Sequence, residues 1–159
     1  MALTSFPVYV LYNQLCVFWS SLQQPFNDWL QTHVDQGFSW RQGSACFRTL
    51  EEDGKHLIEL EVSAQPVEVS AGATRVIEVP FEVPTDGNIE IASISDSFRL
   101  SLAAGAYTLR CELFNKTENG DLPVRLIFML SDSQVFKIVR ADASLSPPAE
   151  LVKDAMPAN

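Results

Sequence analysis

The chain has 159 residues, 47% of them hydrophobic, and its 20 acidic against 11 basic side chains leave a formal charge of −9. The apolar content excludes a disordered chain, and the length suits one domain able to bury a real core. The charge argues against a direct nucleic-acid binder, because such a surface repels phosphate backbones.

The first nineteen residues are rich in Val, Leu, Tyr, Phe and Trp but carry no basic start and are interrupted by Pro7, Asn13 and Gln14. They read as a strand over 8–19 rather than a signal peptide. No apolar run approaches the roughly 18–20 residues of a membrane-spanning helix. Next, Phe26, Trp29, Leu30, His33 and Val34 recur at helical spacing, with Asn27 or Asp28 as the cap at the start and Gly37 placed for a left-handed cap at the end. This is the one helix expected, and it hands over to a strand through Trp40 and Gly43.

From there the period-two rule predicts strands near 43–50, 55–63, 74–83, 88–94, 97–102, 106–114 and 123–130, with a further one at 134–140. With the first, that makes an antiparallel β-sandwich of about eight strands, with one short helix after the first strand. Asp53-Gly54, Asp86-Gly87 and Asn119-Gly120 supply turn chemistry between strands. Parity assigns the faces. Ile58, Leu60 and Val62 oppose Glu59 and Glu61; Ile77, Val79, Phe81 and Val83 oppose Glu78, Pro80 and Glu82; Tyr107, Leu109, Cys111 and Leu113 oppose Thr108, Arg110 and Glu112. Each strand should therefore keep one wet face. Pro80 lacks a backbone donor, which places it at a sheet edge or bulge. Gly105-x-Tyr107 has the form of a tyrosine corner, whose hydroxyl returns to backbone. Residues 1–145 are expected to form the sandwich domain and 146–159, opened by Ser146-Pro147-Pro148, a flexible tail in which 149–155 has room for a short helix.

Catalytic motifs are missing. Seven glycines form no phosphate loop or nucleophile elbow, and His33 and His56 stand 23 positions apart with no ligand or triad spacing. Neither an enzyme nor a cofactor or metal centre is expected, and no membrane partner. Cys16, Cys46 and Cys111 are an odd set without C-x-x-C spacing, which predicts three free thiols and a cytoplasmic location.

The span FNDWLQTHVDQGFSWRQGSACF, from Phe26 to Phe47, resembles the competence protein J (ComJ) family, in which an Asp-Trp pair opens a short helix that ends at a Gly-aromatic step. Tyr12-Asn13-Gln14-Leu15-Cys16-Val17-Phe18, Val79-Pro80-Phe81-Glu82-Val83, the run Asn88 to Ile94 and Gly105-Ala106-Tyr107-Thr108-Leu109-Arg110-Cys111 are similar to family segments in the same order. The likeness spans roughly Val8 to Phe114 and departs from the pattern at Asn13 and Ala106. It implies a non-catalytic protein that binds and inhibits a DNA-degrading nuclease, as ComJ does for NucA.

Such a protein needs a surface that mimics phosphate. The expected contact residues are Glu51, Glu52, Asp53, Glu78 and Glu82, taken to share one acidic face, with Trp40 as an aromatic anchor. The bland alternative is that these carboxylates only solvate an outer sheet face. A rival function is a Ca²⁺-dependent, C2-like module with Asp86-Gly87-Asn88 and Asn119-Gly120-Asp121 gathered at one end.

Overall fold

The computed structural model describes residues 2–159. Eleven strands and one helix follow in chain order: β1 Ala2–Val10, β2 Gln14–Trp19, α1 Gln31–Gln36, β3 Phe38–Arg41, β4 Ser44–Arg48, β5 Gly54–Ser63, β6 Arg75–Val83, β7 Asn88–Ser93, β8 Asp96–Ser101, β9 Gly105–Leu113, β10 Leu122–Leu130 and β11 Lys137–Arg140. Two sheets face each other, one ordered β1-β5-β10-β9-β6-β11 and the other β3-β4-β2-β7-β8. All pairings are antiparallel except β5 with β10.

The alternating residues read from the sequence line the core, together with others to which parity assigned no face. Ile58, Leu60, Ile77, Val79, Phe81, Leu109, Val124, Leu126 and Phe128 of the larger sheet meet Leu15, Val17, Phe47, Ile89 and Ile91 of the smaller one. Tyr107 is buried, and its hydroxyl donates to the Ala103 carbonyl at 2.6 Å, which realises the tyrosine corner. At Gly87 φ is +74°, and a Cβ there would lie 2.6 Å from the Leu102 carbonyl oxygen, so the β6–β7 turn requires glycine twice over.

Four expectations are corrected. First, the strand expected over 8–19 is a hairpin: Tyr12 and Asn13 both have positive φ, 58° and 57°, and turn β1 into β2 without a glycine. Second, the helix begins at Gln31, later than a cap at Asn27 or Asp28 requires. Asn27 is buried, with its amide donating to the carbonyls of Ser39 and Ser44, while the ring Nδ1 of His33 accepts the Leu30 N–H and opens the helix. Gly37, at φ +87°, ends it as expected.

Third, Cys16 and Cys46 are not free thiols. They lie directly opposite each other on β2 and β4 with Cα atoms 4.0 Å apart and are joined as a disulfide, leaving buried Cys111 as the free cysteine. A cross-strand partner is set by register, and a sequence separation of 30 gives no local hint of it. Burial pushes the Cys111 thiol pKa far up, so it does not react in the folded state. The expected result of thiol titration on denatured, unreduced protein is therefore one equivalent; three equivalents would show the cross-strand pair to be reduced.

Fourth, the outer face of the larger sheet is not uniformly wet. Residues 64–74, without regular structure, lie across it, with the Ser70 N–H 3.3 Å from Glu112 Oε2 and Ser70 Oγ accepting from Arg125 at 3.0 Å. Glu112 is fully buried beneath them, and Glu61 and Arg110 nearly so. The outer face of the smaller sheet is likewise covered: Leu22, Phe26 and Trp29 pack over Cys16, Phe18, Cys46 and Ala92.

Residues 146–159 form no helix and run back across the α1 side of the molecule. Gln36, itself fully buried, donates to the Val152 carbonyl and accepts the Val152 N–H, both at 2.8 Å. His33 Nε2 lies 3.0 Å from the Asp154 carbonyl, the Asp28 N–H donates to Met156 O and the Ala158 N–H to Phe26 O. We propose that these bonds hold the segment as a strap over 1–145.

Candidate functional site: acidic and aromatic surfaces

Registers locate the six expected contact residues. β5 starts at Gly54, next to Asp53, and runs parallel to β10; β10 lies beside β9, and β9 beside β6, where Glu82 is opposite Ala106. Glu82 therefore stands near the far end of the sheet from Asp53, three strands across, a separation on the order of 40 Å from strand rise and spacing. Carboxylates from consecutive strands of sequence are thus not neighbours in space, because β5 and β6 are separated by β10 and β9.

Glu78 is half-buried and spoken for. Arg110 Nε donates to it at 2.8 Å, and Arg110 also reaches Glu112 at 3.4 Å. Arg125 extends the chain of charges, meeting Glu112 at 3.8 Å, Glu59 at 3.5 Å and Glu61 in a closer contact. Glu59 and Glu61, spaced as a carboxylate pair along one strand, therefore share one guanidinium. The row is an ion-pair lattice across β5, β10, β9 and β6, and it explains how Glu61, Arg110 and Glu112 are buried as charges.

Trp40 is half-buried and packs on the core. Its indole N–H donates to the Pro80 carbonyl at 2.7 Å, and its ring meets Phe136 edge-on at 5.0 Å. Trp19 donates to the Glu82 carbonyl at 2.7 Å, and Trp29 to Gln14 Oε1 at 3.0 Å. β11 pairs with β6 only over Val76–Glu78, so the carbonyls of Pro80 and Glu82 face an open edge, and the two indoles close it. Pro80 sits on that unpaired stretch, as its missing N–H requires.

Glu51, Glu52 and Asp53 are exposed at the β4–β5 turn. The turn is braced against the β1–β2 hairpin tip: the Asn13 N–H donates to Glu52 O at 2.7 Å, the Asn13 side-chain amide to Thr49 O at 3.0 Å, and the Thr49 N–H to Asn13 O at 2.8 Å. That brings Tyr12, which sequence reasoning did not single out as a contact, beside the acidic turn. Its signal was the Tyr-Asn pair itself, in which Asn tolerates positive φ and marks a turn.

The two Asx-Gly turns offered for Ca²⁺ do not meet. Asp86 follows the end of β6 that pairs with Gly105, whereas Asn119 and Asp121 precede the opposite end of the sheet, where Leu122 pairs with His56. Asp86 Oδ1 already accepts the Asn88 N–H at 2.9 Å. Among the described residues no group of three or more His, Cys, Asp or Glu is placed to hold a metal ion, and no helix is long and apolar enough to cross a membrane.

Comparison with known proteins agrees with this architecture. The family model described as Competence protein J (ComJ) matches residues 7–131. The crystal structure of ComJ, inhibitor of the DNA degrading activity of NucA, from Bacillus subtilis, superposes with a TM-score of 0.68 at 20% identity, covering 80% of this chain and 96% of that one. No curated protein sequence matches. β11 and the strap after it lie beyond residue 131, where the family match ends.

Proposed function

The chain belongs to the competence protein J (ComJ) family, and from that membership we propose that it binds a DNA-degrading nuclease of the NucA kind and silences it without catalysing a reaction itself. The observation that carries this reading is the family match over residues 7–131, to which the shared fold adds support. The proposed mechanism is occlusion: carboxylates take the place of DNA phosphates in a basic cleft, and a net charge of −9 draws the partners together. Glu51, Glu52 and Asp53 are the acids proposed to face the nuclease, being exposed and close together; Glu82 is exposed at the other end, and Glu78 and Trp40 are engaged internally. This reading places the chain in the cytoplasm, where the Cys16–Cys46 disulfide meets a reducing environment.

Plasmid digestion by NucA, titrated with the purified chain, tests this. Digestion should fall to near zero at close to one equivalent, and the chain alone should leave DNA intact. Unchanged digestion at a large molar excess would refute the reading.

A further inference from the structure

Resting on that reading, we infer that the nuclease contact is the β1–β2 hairpin tip, with Tyr12 as the anchor that enters the basic cleft and the β4–β5 turn as its acidic rim. Tyr12 is 74% exposed, the most exposed large hydrophobic side chain of the described residues. It also sits at φ +58°, the left-handed region that favours Gly or Asn. Folding alone therefore disfavours tyrosine here twice: the backbone is strained and the ring buries little. A glycine would make the same turn without strain. A bulky aromatic held out into solvent by a strained turn is suited to contact another molecule.

The surroundings of Tyr12 decide what kind of molecule. Ser93 Oγ bonds both the N–H and the carbonyl of Leu11, and Asp96 accepts the Tyr9 N–H at 2.7 Å, so the β7–β8 turn lies against the hairpin. This adds half-exposed Tyr9 and Ile94 to an apolar patch. Around it stand the carboxylates of Glu51, Glu52, Asp53 and Asp96, with Lys55 the basic residue paired across from Tyr9. An apolar centre with an anionic rim complements a cationic protein cleft and repels both DNA and an anionic lipid surface. On the far side of the molecule Phe136 packs against both Phe38 and Trp40.

The experiment measures inhibition of NucA plasmid digestion and thermal stability for the wild-type chain, Tyr12→Gly, and the pair Glu51→Lys/Glu52→Lys, with Asp132→Lys/Glu150→Lys as a control of equal charge change. Tyr12→Gly should melt at the same or a higher temperature, because it relieves a positive φ, yet need at least about 30-fold more protein for half inhibition. The first charge reversal should slow association by roughly 10-fold or more at low salt, an effect that fades at high salt, while the control changes it far less. Wild-type potency in Tyr12→Gly, or equal slowing by the control pair, overturns this surface while leaving the nuclease reading intact. An inert wild-type chain overturns both.

Discussion

Replacing Arg75 by alanine should remove about 3–5 kcal/mol of stability, a large part of a domain's usual margin of roughly 5–15 kcal/mol. Arg75 has no exposed surface, and its guanidinium grips Asp142 with two bonds, Nε to Oδ1 at 2.6 Å and Nη2 to Oδ2 at 3.1 Å. It also donates to the Arg48 carbonyl at 2.7 Å and Ser144 Oγ at 2.6 Å. One side chain thus ties β6 of the larger sheet to β4 of the smaller one and to the segment after β11. Truncation takes a donor from the Arg48 carbonyl, leaves the Asp142 carboxylate with Ser144 alone and opens a cavity, whereas lysine cannot restore the two-pronged grip.

The node also predicts a pH dependence. Burial pushes the Asp142 carboxyl up, but the hydrogen bonds from Arg75 and Ser144 outweigh it and hold its pKa well below the usual carboxylate range. A depressed folded value means that the pair stabilises above the ordinary carboxylate pKa and that this contribution is lost as pH falls below it. Urea denaturation should show a lowered midpoint for Arg75→Ala at pH 7 with a constant slope, and a weaker acid dependence for Asp142→Asn than for the wild type. A loss under about 1 kcal/mol for Arg75→Ala would mean that the contacts after β11 do not hold the sheets together.

The second large effect concerns Trp40. Trp40→Ala should cost about 3 kcal/mol, because it removes the ring that packs edge-on against Phe136 and the donor that caps the Pro80 carbonyl at the open edge of β6. At a temperature where the variant stays folded, nuclease inhibition should be unchanged. An interface anchor would behave in the opposite way, with an intact melting curve and inhibition weakened about 30-fold or more. Thermal melts beside inhibition at low temperature separate the two outcomes, and the second would restore Trp40 as the contact.

The strands from β4 onward were legible because they obey a local rule. Ile77, Val79, Phe81 and Val83 alternate with polar residues, and the turns at Gly54, Gly87 and Gly120 all take positive φ. Three features escaped because they depend on what lies opposite. The Cys16–Cys46 pair follows from the register of β2 on β4, and the charge row of Glu61, Arg125, Glu112, Arg110 and Glu78 from the order of four strands. Asn27 and Asp28 have the composition of helix caps but are used to receive the smaller sheet and the strap. Membership in the family was legible from ordered segments, whereas the placement of the acids was not: Glu51 and Glu82 are close in the pattern of acids and far apart in the fold. Tyr12 was hidden by the absence of a glycine in its turn.

Occlusion of the nuclease cleft is tested most directly by gel filtration of NucA with this chain and a short DNA duplex whose phosphorothioate linkages resist cleavage. The account predicts a stable complex of one chain with one nuclease that contains no DNA, and release of prebound duplex as the chain is added. A ternary species carrying nuclease, chain and DNA together, or nuclease eluting on DNA with this chain left free, would contradict it.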